Sequence, residues 1–226
     1  STSENEMKDY TDARSRLLVE ETLRGNYALA LRMLSEGSLP EKSRLEQLSE
    51  TYRLLCSYYA RGAEDPSRDE ILRKIGRELM ALIRREQEIN VRLPYSCIAV
   101  RERLGEGYDF AEDLRRPLMR RESGYFDRLD RLFDYLWATD RLTEADCEAI
   151  RRSTDGIERR IILSGLFVGL CEEFDPAKVL LLIEVLEDRE PADVAIALPA
   201  LLMGGRRHQS EIVRLYPELA ERGLAA

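Results

Sequence analysis

His208 is the single histidine in 226 residues, so a histidine-based triad or acid/base pair would have to run through it. It follows Gly204-Gly205-Arg206-Arg207, and no Gly-x-Ser-x-Gly nucleophile elbow occurs anywhere in the chain. The expectation is a surface histidine in a loop. Gly204-Gly205 is not followed by Lys-Ser/Thr and reads as the C-cap of a helix, not as a phosphate loop. Asp127, Asp130 and Asp134 stand at i, i+3 and i+7 of one predicted helix, a spacing at which carboxylates can share a divalent cation. Arg128 and Arg131 interleave with them, however, and no second acidic motif or Glu-x-x-His pair exists to complete such a site. A solvated charged face is expected there. Glu20-Glu21 and Glu172-Glu173 offer nothing stronger. Cys56, Cys97, Cys147 and Cys171 are scattered without a Cys-x-x-Cys pair, which disfavours zinc and makes reduced thiols in a cytoplasmic protein the default. No catalytic residue, metal or cofactor is assigned.

One stretch departs from the acidic balance of the chain, which carries 43 Asp and Glu against 35 Lys and Arg for a net charge of −8. Arg115-Arg116-Pro117-Leu118-Met119-Arg120-Arg121 places four arginines in seven residues. Guanidinium forks match carboxylates and phosphates, and nearby Tyr125 and Phe126 could add stacking as in single-strand binders. Against this, Glu112, Asp113 and Glu122 stand close enough in sequence to pair with the arginines. The negative overall charge disfavours nucleic acid; a plain solvated surface is the first expectation for this stretch, and an acidic protein segment is the ligand expected if it binds one. Leu118, Met119, Tyr125 and Phe126 read as core.

The elements that would position these residues are helices. Charged residues make up 35% of the chain, Gly and Pro are sparse at 13 and 8, and 35 Leu stand against 12 Ile and 8 Val. That composition excludes collagen, Pro/Gly-rich disorder and most all-β folds. Apolar residues recur at three and four, never in a sustained period of two. Helices are predicted over 10–24, closed by Gly25; 27–36, capped by Asn26 and ended by Gly37; 41–60, closed by Gly62; and 67–92, opened by Asp65-Pro66. Residues 94–109, with Pro94, Gly105 and Gly107, read as an irregular connection. Helical spacing resumes over 110–121, where Pro117 marks a kink or a start, and over 125–139. Thr143 and Asp146 form a capping box opening a helix to 153. Asp155 is expected to cap 156–174, Asp175-Pro176 to open 177–188, and Glu190-Pro191 to open 192–203. Gly204-Gly205 would stop that helix, Ser210 cap another through 215, and Pro217 begin a final turn. The apolar runs 161–171 and 194–205 are shorter than the roughly 18 to 20 residues of a membrane span, and the polar start Ser1 to Met7 lacks the apolar run of a secretory signal.

Gly25-Asn-Tyr-Ala-Leu-Ala-Leu-Arg-Met-Leu34 resembles the middle of a tetratricopeptide repeat, in which glycine ends the first helix and an aromatic follows two residues later. Residues 155–219, with Asp193-Val-Ala-Ile-Ala-Leu-Pro-Ala-Leu-Leu202, are similar to HEAT or armadillo helices, which carry proline kinks among small and aliphatic residues. The tail Ile212-Val-Arg-Leu-Tyr-Pro-Glu-Leu219 is similar to multi-helix bacterial proteins longer than this chain, which implies a cut at Ala226. The helical spacing along the chain predicts an all-α fold of about ten to twelve helices, and with these resemblances it points to antiparallel hairpins in a right-handed superhelix or to two abutting helical subdomains. The expected division is 8–93, tetratricopeptide-like; 94–109, a connection; and 110–222, HEAT-like. Such families present a concave groove to a protein or peptide. The residues expected to contact the partner are Tyr58, Arg115, Arg116, Arg120, Arg121 and Trp137. The alternatives are a helical-bundle enzyme or small-ligand binder using carboxylates such as Asp127 or Glu172, and a nucleic-acid-binding solenoid.

Overall fold

The computed structural model describes residues 2–90, 95–117, 119–153 and 156–226 and, within these, all side chains except those of residues 95–98. Among the described residues there are thirteen helices and no strand, so the fold is all-α. The chain divides into two compact units, Ser1–Leu93 and Pro94–Ala226.

The first unit holds α1 (Thr2–Leu23), α2 (Tyr27–Ser35), α3 (Lys42–Ala60) and α4 (Arg68–Asn90). Gly25 lies at φ 88°, a left-handed conformation that costs glycine little, and so reverses the chain between α1 and α2 within three residues. Asn26 stands at the N-cap of α2, but its amide donates to the Glu21 carboxylate instead of capping the helix. The apolar stripe of α4, Ile75, Leu79, Leu82 and Ile83, is buried against Leu18 of α1 and Ala30, Leu31 and Leu34 of α2. Within this core Arg14 of α1 pairs with buried Glu86 of α4 and donates to the carbonyl of Met33 at 2.7 Å. Gly37 leaves the space those two side chains fill. α3 buries only Leu45 and Leu48, and its second half leaves Leu54 and Tyr58 exposed.

The second unit comprises α5 (Tyr95–Leu104), α6 (Phe110–Arg115), α7 (Tyr125–Ala138), α8 (Glu144–Arg152), α9 (Gly156–Glu172), α10 (Pro176–Asp188), α11 (Pro191–Arg207), α12 (Gln209–Leu215) and α13 (Pro217–Ala225). α9 is the central element, packed between α7 and α11. Its glycines set the distance to α7: a methyl at Gly165 would stand 2.9 Å from Leu136 Cβ, and one at Gly169 2.5 Å from the Leu136 carbonyl oxygen. Helix axes approach as closely as the side chains between them allow, so glycine four residues apart brings two helices together. Lys178 of α10 is fully buried and donates to the carbonyls of Leu136, at 2.8 Å, and Thr139, where the last turn of α7 leaves carbonyls without intrahelical partners. Burial lowers its pKa to about 8, although Asp175, Asp140 and Glu173 pull in the other direction.

Several boundaries differ from the sequence reading. Residues 94–109 are not an irregular connection throughout, because α5 occupies Tyr95–Leu104. Ten residues without glycine can form a helix after a proline, and among the described residues of this stretch the irregular part is 105–109, with Gly105 and Gly107 at positive φ. The helix from 110 does not reach 121: α6 stops at Arg115, since Pro117 forces Arg116 into the extended region at ψ 122°. α11 runs through Gly204-Gly205, which do not cap it. Gly204 instead admits the side chain of Leu170, whose Cγ would lie 2.6 Å from a methyl there. Ser210 lies inside α12, behind His208 at the N-cap, and Pro217 opens a helix of nine residues in place of a turn. The expected cap at Asp155 lies outside the described residues.

Candidate partner-binding loop

The loop between α6 and α7 is built from a chain stop, a tight turn and a buried arginine. Asp109 caps α6 by accepting from the Glu112 amide at 3.1 Å, and Pro117 ends the helix one turn later. The Glu122 carboxylate then accepts from the Met119 amide at 2.8 Å, while the Glu122 amide donates to the Met119 carbonyl at 2.9 Å. Gly124, at φ 86°, supplies the left-handed residue from which α7 starts.

Arg128 of α7 is 2% exposed, and its guanidinium reaches back under the loop. It donates to the carbonyl of Leu114 at 2.9 Å and to that of Arg116, two groups that the end of α6 leaves unpaired. Its charge is met by Glu158 of α9. Asp113 is buried beside it and receives the Tyr108 hydroxyl at 2.7 Å and the Arg131 fork at 3.2 Å. Burial pushes the Asp113 pKa up, but the hydrogen bonds from Arg131 and Tyr108 outweigh it and hold the carboxyl below its ordinary value. The same burial and the bond to Asp113 raise the Tyr108 phenol far above its ordinary range.

These commitments decide what the exposed arginines can do. The carboxylates expected to quench the patch are engaged elsewhere: Asp113 with Tyr108 and Arg131, and Glu122 with the loop backbone. Glu112 is exposed and pairs with none of the described residues. Arg115, Arg116, Arg120 and Arg121 are all exposed, and none forms an ion pair with a described residue. Two side chains read as core stand beside them in the open, Met119 at 71% and Phe126 at 65% exposure, whereas Tyr125 is buried with its ring edge-on to Phe126 at 5.4 Å. Phe126 keeps the spacing of the α7 stripe but lies in the first turn, where it stays exposed with its ring against that of Tyr125. Leu118 lies outside the described residues.

The other residues singled out from sequence do not join this cluster. Trp137 is half-buried near the far end of α7, with its backbone against Gly169. Tyr58 belongs to α3 of the first unit, half exposed, with its ring centre 5.4 Å from that of Tyr59. His208 is not a surface residue: it is half-buried between α11 and α12, with Nε2 2.7 Å from the Leu170 carbonyl oxygen and its ring 5.5 Å from Phe174. Asp134 pairs with Arg103 at 3.0 Å, while Asp127 and Asp130 are exposed. Among the described residues no three acidic, histidine or cysteine side chains converge as a metal site requires. Cys147 is buried, Cys171 half-buried and Cys56 exposed, and all three are free. Arg128 itself was missed, though it interrupts the apolar series Tyr125, Leu129, Leu132, Leu136 at a core position. A lone arginine at such a position signals a buried charge with a fixed task.

No described helix is long and apolar enough to cross a membrane. No family model, no curated protein and no solved structure matches the chain.

Proposed function

We propose that the chain is a non-catalytic protein-interaction module of the helical-repeat kind, and that the α6–α7 loop takes an acidic segment of a partner protein. The observation that carries this reading is the set of four exposed arginines that form no ion pair with a described residue, held on a loop whose backbone is tied down by buried Arg128. Guanidinium forks bind carboxylates through paired hydrogen bonds, and a pre-positioned loop loses little entropy when it does so. Phe126 and Met119 offer apolar contact beside the charges, the combination found where binding energy concentrates. An extended nucleic acid would meet the field of a chain at −8, whereas a short acidic segment needs only the local patch. The helical-repeat part of the proposal draws on the hairpin at Gly25 and on α9, sandwiched between neighbours as an interior repeat helix is.

The test is fluorescence anisotropy with a labelled peptide of alternating Glu and Leu or Trp, titrated with the full chain. Binding is expected to weaken at least about tenfold in Arg115→Glu/Arg116→Glu/Arg120→Glu/Arg121→Glu, and to fall with added salt. Equal binding by that variant and the parent overturns the reading.

A further inference from the structure

From Arg115 to Gly124 the chain carries one hydroxyl side chain, Ser123, which stands three and two positions after Arg120 and Arg121. Every described residue of this stretch is exposed, Ser123 included. The carbonyls that Arg128 holds end at Arg116, and burial resumes at Tyr125. Between those points the described bonds are local. They join Met119 to Glu122, and the Tyr125 amide to the Glu122 carbonyl at 3.3 Å. A segment held by such short-range bonds opens at little cost. Two arginines before a hydroxyl recur at Arg151-Arg152-Ser153-Thr154, in a different setting. There Arg151 is forked onto Glu184 at 2.9 and 3.1 Å, Arg152 pairs with Glu148 at 3.1 Å, and the Ser153 hydroxyl oxygen is buried. Thr154 lies outside the described residues. Arg120 and Arg121, by contrast, are exposed and form no ion pair with a described residue.

We infer that Ser123 is the target of a serine kinase with a carboxylate-lined substrate cleft, and that its phosphate closes the loop to acidic segments. The second half rests on the acidic-segment reading of this loop. Carboxylates in the cleft take Arg120 and Arg121 by paired hydrogen bonds, and the exposed chain then delivers Ser123 to the nucleotide. In the transfer the Ser123 oxygen bonds to the γ-phosphorus of ATP and the bond from that phosphorus to the β–γ bridging oxygen breaks. ADP leaves, and the hydroxyl proton passes to the catalytic carboxylate of the kinase. The product carries about −1.5 to −2 charges at neutral pH and three acceptor oxygens. A chain spans at most about 3.6 Å per residue, so the Cα atoms of Arg120 and Arg121 lie within about 11 and 7 Å of that of Ser123. An arginine and a phosphoserine bridge such an interval together. A tethered phosphate acts at an effective concentration on the order of millimolar, against a partner free in solution. Guanidiniums that it engages are lost to the partner's carboxylates, and its charge repels them.

The test treats the full chain with an arginine-directed serine kinase and ATP, locates the phosphate by fragment mass spectrometry, and repeats the anisotropy titration with the Glu-rich peptide. Phosphate is expected at Ser123, and in Arg120→Ala/Arg121→Ala it should be added at least about tenfold more slowly. The phosphorylated chain should bind the peptide at least about tenfold more weakly than the untreated chain, and phosphatase should restore the affinity. Kinase treatment of Ser123→Ala should leave its peptide affinity where it was. No phosphate at Ser123, or phosphate only at another site such as Thr154, overturns the inference. Equal peptide binding by the phosphorylated and untreated chains overturns the closing of the loop. An untreated chain that binds no peptide overturns the acidic-segment reading and the closing with it, while the position of the phosphate still decides whether Ser123 is the site.

Discussion

The buried guanidinium of Arg128 donates to the carbonyl of Arg116, the residue that follows α6 and the second of the four exposed arginines. One arginine thus fixes the backbone that presents four others. Arg128 is neutralised by Glu158, and Asp113 is neutralised by Arg131, so the buried charges under the loop balance among themselves. The exposed guanidiniums form no ion pair with a described residue.

Removing the tether should be costly. Arg128→Met leaves two helix-end carbonyls without their donor and takes away the cation beside the Glu158 carboxylate, and loss of one member of a buried pair costs about 3 to 5 kcal/mol. Denaturant unfolding should show a loss of that order. Arg128→Met/Glu158→Met should be more stable than the single variant, because the partly buried carboxylate is then removed together with its cation. A single-variant loss below about 1 kcal/mol would mean that the pair does not hold the loop.

Two glycines should respond unequally to a methyl. Alanine is the better helix former by about 1 kcal/mol, yet at Gly169 its Cβ would stand 2.5 Å from the Leu136 carbonyl oxygen and 2.6 Å from the Lys178 ammonium. Gly169→Ala is therefore expected to destabilise by about 1 to 3 kcal/mol. At Gly204 the obstacle is the Leu170 side chain, which can rotate where a helix backbone cannot, so Gly204→Ala should cost less. Thermal unfolding of both variants checks the order, and the reverse order would contradict it.

Lys178 gives stability a pH dependence of defined sign. Its folded pKa is about 8, below the ordinary lysine value of 10.5, chiefly because of burial. Between those values the unfolded chain holds a proton that the folded chain has released, so stability attributable to Lys178 rises with pH across that window and is lowest below it. The neutral amine still has N–H groups for both carbonyls, so releasing the proton does not break the cap. Measured from pH 7.5 to about 9.5, the stability of the parent minus that of Lys178→Met should increase. A flat or falling difference would contradict the assignment.

Signals written in a few adjacent residues were legible without the structure. The Thr143–Asp146 capping box makes both of its bonds, Asp175 caps α10 through the Ala177 amide, and Gly25 turns α1 into α2. What sequence spacing hid was set by distant partners. Gly204-Gly205 read as a stop because glycine usually ends a helix, but Leu170, 34 positions earlier, is what demands a missing side chain there. His208 read as surface for lack of any local cue to the Leu170 carbonyl. In the loop the arginines were plain from composition. That they form no ion pair with a described residue was not, since Tyr108 and Arg131 claim Asp113 across 5 and 18 positions and Glu122 turns to the Met119 amide.

The central claim is that the α6–α7 loop binds acidic segments, and amide chemical-shift mapping tests it most directly. With the isotope-labelled chain titrated by the Glu-rich peptide, the largest shifts are expected at 115–126 and at Arg128, and they should vanish in the fourfold arginine variant. Shifts concentrated elsewhere, or no saturable shift at all, would contradict the claim.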